Sequence, residues 1–208
     1  IEKVILARRH MYWQVYLHKT VVAAEGMLVQ ALRRAKHLAM GGTEVWGSPA
    51  LLRFLSNSHT RASIAEPAVL ADFLKLDDHD IMGAVKVWAD HPDRILSKLA
   101  NDLVKRHTLR IRLRETPWDE GHVRRIKQKV AKHLKIDLAD ADHFVLTDSI
   151  VNNAYDPSQY RIKLLFKNGR VEDIATASDT LGIQAMSHTV VKHYLAYPRW
   201  LGKEWFEE

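Results

Sequence analysis

The sequence predicts an all-α first half followed by an α+β C-terminal region of order β-α-β-β-α that contains a hairpin. Three observations carry this. Apolar residues recur at helical spacing as far as residue 106, and the period then switches to alternation at Leu109, Ile111 and Leu113. Further on, Asn168-Gly169 sits between two short β-rich runs, which is a hairpin signal. The expected boundary near residue 108 divides the chain into a helical unit, 1–108, and an α+β unit, 109–208.

In order along the chain, residues 2–40 read as one long helix. Ile5, Met11, Val15, Val22, Leu28, Ala31, Leu32 and Ala35 form its apolar stripe, and Gly41-Gly42 ends it. A second helix starts at Ser48-Pro49, where serine caps and proline suits the first turn, with Leu51, Leu52 and Leu55 facing inward. A polar loop is expected over 57–61, then short helices over 68–74, 80–89 and 93–106, the last entered through His91-Pro92. Arg110, Arg112 and Arg114 alternate with apolar partners as a strand with one basic face. Residues 118–135 return to helix, with Val123, Ile126, Val130 and Leu134 on one side. Residues 143–151, 161–166 and 171–175 read as strands, 183–193 as a last helix, and an aromatic tail runs to Phe206.

The 208 residues are 47% hydrophobic and 27% charged, the make-up of a folded globular protein. There is no cysteine, which excludes disulfides and cysteine-zinc sites and suits a cytoplasmic protein. No apolar run approaches the roughly 18 residues of a membrane helix, so no membrane partner is expected. Ile1-Glu2-Lys3 opens inside a helical pattern, with neither a secretory leader nor a capping residue before Val4. The expectation is therefore a fragment or a cleaved product. Net charge is +6, and between Lys105 and Lys135 eleven Lys and Arg face three acids. Such a patch attracts phosphates, on nucleotides or on nucleic acid.

The densest polar and aromatic cluster lies on the first helix. Arg8, Tyr12 and Tyr16 fall at i, i+4 and i+8, sharing one face with Lys19 just beyond. A guanidinium fork, two phenols and an ammonium can line a polyphosphate through bidentate, hydroxyl and point-charge contacts. Spacing alone favours a solvated face with aromatic packing. Three wide aromatics among several cations is nonetheless more than solubility requires.

The pattern Arg8-x3-Tyr12-x3-Tyr16-x-His18-Lys19, followed by a long helix, resembles the segment after the metal-ligand helices of HD-superfamily phosphohydrolases. The resemblance is to the dNTP-triphosphohydrolase (dGTPase-like) branch in particular, and it implies that the chain is the C-terminal portion of such an enzyme. The stretch from Phe73 through Leu76, Asp77 and Asp80 to Ile81 and Met82 is similar to that family's LxDxxI segment, and Arg106 stands near its arginine before the strand. The resemblance implies that Arg8 contacts phosphate and that Tyr16 lines a nucleotide pocket. It implies that His18 and Lys19 turn toward a neighbouring subunit or a regulatory nucleotide. Tyr12 departs from members that carry histidine there, so no protonating role is carried over to it. By the same resemblance the parent uses a divalent metal (Mn, Mg, Fe, Ni or Zn), acts on a nucleotide or another phosphate ester, and forms a homo-oligomer.

His79-Asp80 spells the family's motif, yet it lies in the run Asp77-Asp78-His79-Asp80, which reads as the acidic entry to the next helix. Neighbouring side chains on a helix diverge by about 100°, so the pair would need ligands from other helices. No metal ligand is assigned, and the chain alone is expected to bind no metal and to be inactive. His188 and His193 are five apart and match no zinc pattern. The alternative is a nucleic-acid-binding or regulatory and assembly unit using the basic strand and helix of 110–135, for which only weak, non-specific nucleic-acid binding is expected.

Overall fold

The computed structural model describes residues 2–152, 161–177 and 190–202. The expected single helix over 2–40 is broken into α1 (Glu2–Met11), a π-helical turn (Tyr12–Tyr16) and α2 (Lys19–Met40). The Leu17 N–H reaches back to the Tyr12 carbonyl at 2.7 Å, closing the wide turn. His18 then turns extended (φ −62°, ψ 136°), and its ring nitrogen accepts from the Thr20 N–H. A π turn and a fresh start shift the angular phase of the residues that follow. Helical spacing therefore does not carry across the break. Met11 and Val15, placed on the stripe by spacing, are exposed, while Ala23, Met27, Ala31 and Ala35 are the residues of α2 that are buried.

The following helices start where their caps lie. Ser48 Oγ accepts from the Leu51 N–H at the head of α3 (Pro49–Ser56), with Pro49 in the first turn. A short α4 (Arg61–Ile64) forms where a loop was expected, because Thr60 and Ser63 make a reciprocal capping box. After α5 (Pro67–Phe73), Asp77 caps α6 (Asp78–Trp88), and Asp93 caps α7 (Arg94–Val104). Fully buried Trp88 donates its indole N–H to the Trp46 carbonyl at 2.8 Å, tying α6 to the segment before α3.

Beyond α7 come β1 (Arg110–Arg114), α8 (Glu120–Leu134), a 3-10 turn (Ala139–His143) and β2 (Leu146–Asn152). Then β3 (Lys163–Leu165) and β4 (Val171–Asp173) pair as the predicted hairpin, followed by α9 (Ile174–Ala177) and β5 (Val190–Tyr197). At the hairpin only Gly169 takes positive φ (+81°). Its N–H bonds the Phe166 carbonyl, and Phe166 N–H bonds the Arg170 carbonyl. This is a three-residue loop closed by a glycine bulge, not the two-residue turn that Asn-Gly suggests.

The predicted fold class needs correction. The chain does not end in a β-α-β-β-α region standing after an all-α half. Its last described element is a strand, β5, and β5 is the centre of an antiparallel sheet of order β1-β5-β2. The predicted helix over 183–193 thus fails at its C-terminal end, where Val190, Val191 and His193 are in β5; residues 183–189, with His188, lie outside the described residues, as does the tail from 203 through Phe206. The physical reason is a central strand's environment. Leu195, Ala196 and Tyr197 are all buried, so the run shows no alternation, and a short buried strand cannot be told from a buried helix by periodicity.

Helices and sheet also share their cores. Ala23 and Met27 of α2 pack with Leu109, Ile111, Leu146 and Ala196 of the sheet. A larger cluster joins Ala31 and Ala35 to Leu96 and Leu99 of α7, Ile126 and Val130 of α8, and Leu195 and Tyr197 of β5. At Gly26 α2 runs close to the sheet, and a Cβ there would stand 2.9 Å from a Leu146 methyl. The Leu109 N–H points at Met27 Sδ, 3.3 Å away. The result is a helix-rich fold built around α2.

Candidate functional site

The side chains singled out from the sequence form a column on the surface. The Arg8 guanidinium donates to the Tyr12 hydroxyl at 3.3 Å and lies 5.2 Å from the centre of its ring. The Tyr12 and Tyr16 rings follow at 5.1 Å, tilted by 54°. Arg8 and Tyr16 are exposed and Tyr12 is half-buried. The column is held from behind, since Ile5 is buried and Lys192 of β5 places its ammonium 5.5 Å from the Trp13 ring centre. A π turn is an uncommon element, and such turns gather at functional sites. Here it carries both phenols.

His18 and Lys19 follow at the head of α2. His18 is committed to its cap, with Nδ1 accepting from the Thr20 N–H at 3.3 Å. Lys19 is exposed, and the first turn of this 22-residue helix contains no acid. A cation at the positive end of a long helix does nothing for helix stability, whereas an anion would be welcome there. The structure thus joins Arg8, Tyr12 and Tyr16 directly. His18 and Lys19 succeed them in the chain without joining the stack.

His79-Asp80 belongs to a cap. The Asp77 carboxylate accepts from the His79 and Asp80 N–H groups, Asp80 returns a bond to the Asp77 N–H, and the His79 side chain is 96% exposed. The backbone bonds to His79 and Asp80 hold the Asp77 carboxyl below the usual carboxylate range. Within the basic stretch, Lys127 pairs with Asp142 at 2.8 Å and the Arg114 guanidinium lies 4.5 Å from the Trp118 ring centre. Among the described residues no three His, Asp or Glu side chains gather as a metal site, and no helix is long and apolar enough to cross a membrane.

A half-buried polar junction joins α2, α7 and the 3-10 turn without having shown in the sequence. Arg34 of α2 grips the Asp93 carboxylate through two nitrogens, at 3.1 and 2.6 Å, and reaches Asp140 at 3.1 Å. His143 bonds the Gln30 amide at 3.1 Å beside it. Burial pushes the Asp93 carboxyl up, but the bonds from Arg34 and the Leu96 and Ile95 N–H groups pull it net below its ordinary value. Burial, then the Arg34 charge, lowers the His143 pKa. The available signal was Arg34 itself, a cation beside the buried Ala31–Ala35 side of the helix.

The fold is similar to that of a solved phosphohydrolase. That structure is a crystal structure of a phosphohydrolase from Bacteroides thetaiotaomicron VPI-5482, with a TM-score of 0.86 and 43% identity. The likeness covers 94% of this chain, helices and sheet together, and 49% of that one. A curated relative, the uncharacterised protein YwfO of Bacillus subtilis (strain 168), is 27% identical over 207 residues, which is 96% of this chain and 45% of YwfO. The chain thus spans about half the length of the proteins it matches. No family model matches it.

Proposed function

We propose that this chain is part of an HD-type, metal-dependent phosphohydrolase acting on nucleotides, to which it contributes phosphate-contacting side chains. The observation that carries the reading is the exposed Arg8–Tyr12–Tyr16 column, held on a π turn ahead of a long helix. The similarity to a solved phosphohydrolase supports the reaction class. In this reading the Arg8 fork takes a phosphate oxygen, the Tyr12 hydroxyl holds the fork in place, and Tyr16 offers a flat face and a donor. Lys19 adds a point charge at the head of α2. These groups neutralise and orient a phosphate, which is the role of fixed cations in phosphoryl transfer. In this reading the divalent ion is held by another part of the parent. The chain by itself is then inactive.

The test is Arg8→Ala in the full-length parent, against Arg125→Ala as an exposed control. Loss of one charge-assisted contact of about 1.5–3 kcal/mol lowers turnover by roughly ten- to a hundredfold. Equal turnover in the two folded variants would remove Arg8 from the site.

A further inference from the structure

Far along the chain from the Arg8 column, α7, the end of α8 and the stretch after β5 enclose two adjoining cavities. They measure about 460 and about 300 Å³ and share Lys98, Asp102, His107, Leu134 and Phe144 as walls. Both are the size of small-ligand pockets. Their charge is one-sided. Arg94, Lys98, Lys105 and Arg199 line them against the single carboxylate of Asp102.

Helix stability accounts for Lys105 and the Lys98–Asp102 pair but not for the cations at the head of α7. Arg94, Lys98, Asp102 and Lys105 fall at i, i+4, i+8 and i+11, on one face of α7 and its cap. Arg94 sits at the positive end of the helix dipole, and Arg94 beside Lys98 is a like-charge pair at i, i+4. Both choices disfavour the helix, whereas Lys105 at its C-cap suits the negative end of the dipole. Three of the cations have partners: Lys98 with Asp102, Arg94 with the Leu134 carbonyl, and Arg199 with the Thr108 carbonyl and hydroxyl. The side chains of Lys105 and His107 meet no hydrogen-bond or ion-pair partner among the described residues. Between them Arg106 takes a left-handed conformation (φ 58°), a place usually given to glycine, and the turn folds the His107 N–H back onto the Asp102 carbonyl at 2.7 Å. The remaining wall is apolar, from Ile95, Leu134, Ile136 and Phe144. At the second cavity the Trp200 ring is held flat against His133, 3.8 Å between centres.

We propose that this groove, with Lys105 and His107 set over an apolar wall, binds a small ligand that carries a phosphate on a flat, apolar body. The phosphate lies against Lys105 and His107, and the body lies along Leu134 and Phe144. The two unengaged donors supply the charge-assisted contacts, and concave walls of one sign concentrate the field. The assignment does not rest on the role given to Arg8, and no residue of the Arg8 column lines the groove.

Adenosine 5′-monophosphate is a suitable probe, titrated into the chain calorimetrically in an Arg8→Ala background so that the column cannot contribute. The groove predicts saturable binding there, weakened on the order of tenfold or more by Lys105→Glu with His107→Ala, both exposed positions. Near-UV circular dichroism confirms that the variants stay folded, and Lys105→Ala alone serves as a second, milder groove variant with a smaller loss of the same sign. Adenosine and inorganic phosphate should each bind about tenfold more weakly than the nucleotide. Absence of binding in the Arg8→Ala background overturns the proposal, as does binding indifferent to both groove variants. Adenosine binding as tightly as the nucleotide removes the phosphate from the assignment, and phosphate doing so removes the apolar wall. If binding is present in the unmodified chain and vanishes with Arg8→Ala, the groove is refuted while the reading of the column is supported.

Discussion

Replacing Asp93 by alanine should destabilise the chain by about 2–4 kcal/mol. Two losses add. Asp93 caps α7 through the Ile95 and Leu96 N–H groups, and a lost aspartate cap costs about 0.5–2 kcal/mol. It also holds Arg34 through two bonds, with both side chains only 15% exposed. A charge-assisted bond of this kind contributes about 1.5–3 kcal/mol. Arg34 keeps Asp140 at 3.1 Å, which limits the damage. For a domain of this size that predicts a fall in Tm of roughly 5–12 °C. Urea unfolding followed by circular dichroism, at unchanged m, measures it. A double-mutant cycle with Arg34→Met should show coupling of about 1–3 kcal/mol, because each single change already breaks the pair. The pH dependence follows from the same geometry. The Asp93 carboxyl is lowered in the folded chain, so its contribution is complete above the ordinary carboxylate range and fades as pH falls through the lowered value. The unmodified protein should therefore lose more stability than Asp93→Ala between about pH 5 and about pH 2. His143 is lowered as well, so its share starts to fade below about 6.5, and His143→Gln should remove that part of the slope. A cost under about 1 kcal/mol for Asp93→Ala, or additive single changes, would show that the junction does not bind α2 to α7 energetically.

Two further outcomes are expected. Gly26→Val should cost about 1–3 kcal/mol by overpacking, whereas Gly26→Ala should stay near neutral, because the Leu146 methyl 2.9 Å from the added Cβ can rotate and alanine favours helix; equal melting temperatures for Gly26→Val and the unmodified chain would mean that α2 does not press on β2. Binding of labelled single- and double-stranded oligonucleotides to the basic stretch should be weak and fall steeply with salt, since Lys127 and Arg114 are already engaged; tight, sequence-selective binding near physiological salt would move the function toward nucleic acid.

Caps and turns were legible because their chemistry is local. Ser48-Pro49, the acidic run at Asp77 and the entry at Asp93 each mark a helix start that the structure reproduces, since a cap is one side chain meeting an N–H two or three residues on. The strand at Leu109–Leu113 was legible because one face is buried and one is basic, leaving alternation in the sequence. The contiguity of Arg8, Tyr12 and Tyr16 was readable too, as i, i+4 spacing survives the π turn well enough to bring them together. The break at Leu17-His18 was not, because neither residue is a helix breaker and the interruption goes with a backbone bond from the Leu17 N–H to the carbonyl five residues back, at Tyr12.

By itself the sequence determined the helix starts at Ser48, Asp77 and Asp93, the basic strand after residue 108, the hairpin at Gly169 and the contiguity of Arg8, Tyr12 and Tyr16. These depend on neighbours within about four residues, where sequence distance and spatial distance agree. Tertiary structure decided that β5 is the sheet's centre, that Arg34, Asp93 and Asp140 meet, and that Arg94, Lys98, Lys105 and His107 line one groove. Arg34 and Asp140 stand 106 positions apart in sequence, and no local preference signals a partner at that range. Only the packing of α2 against α7 and the sheet brings such groups together.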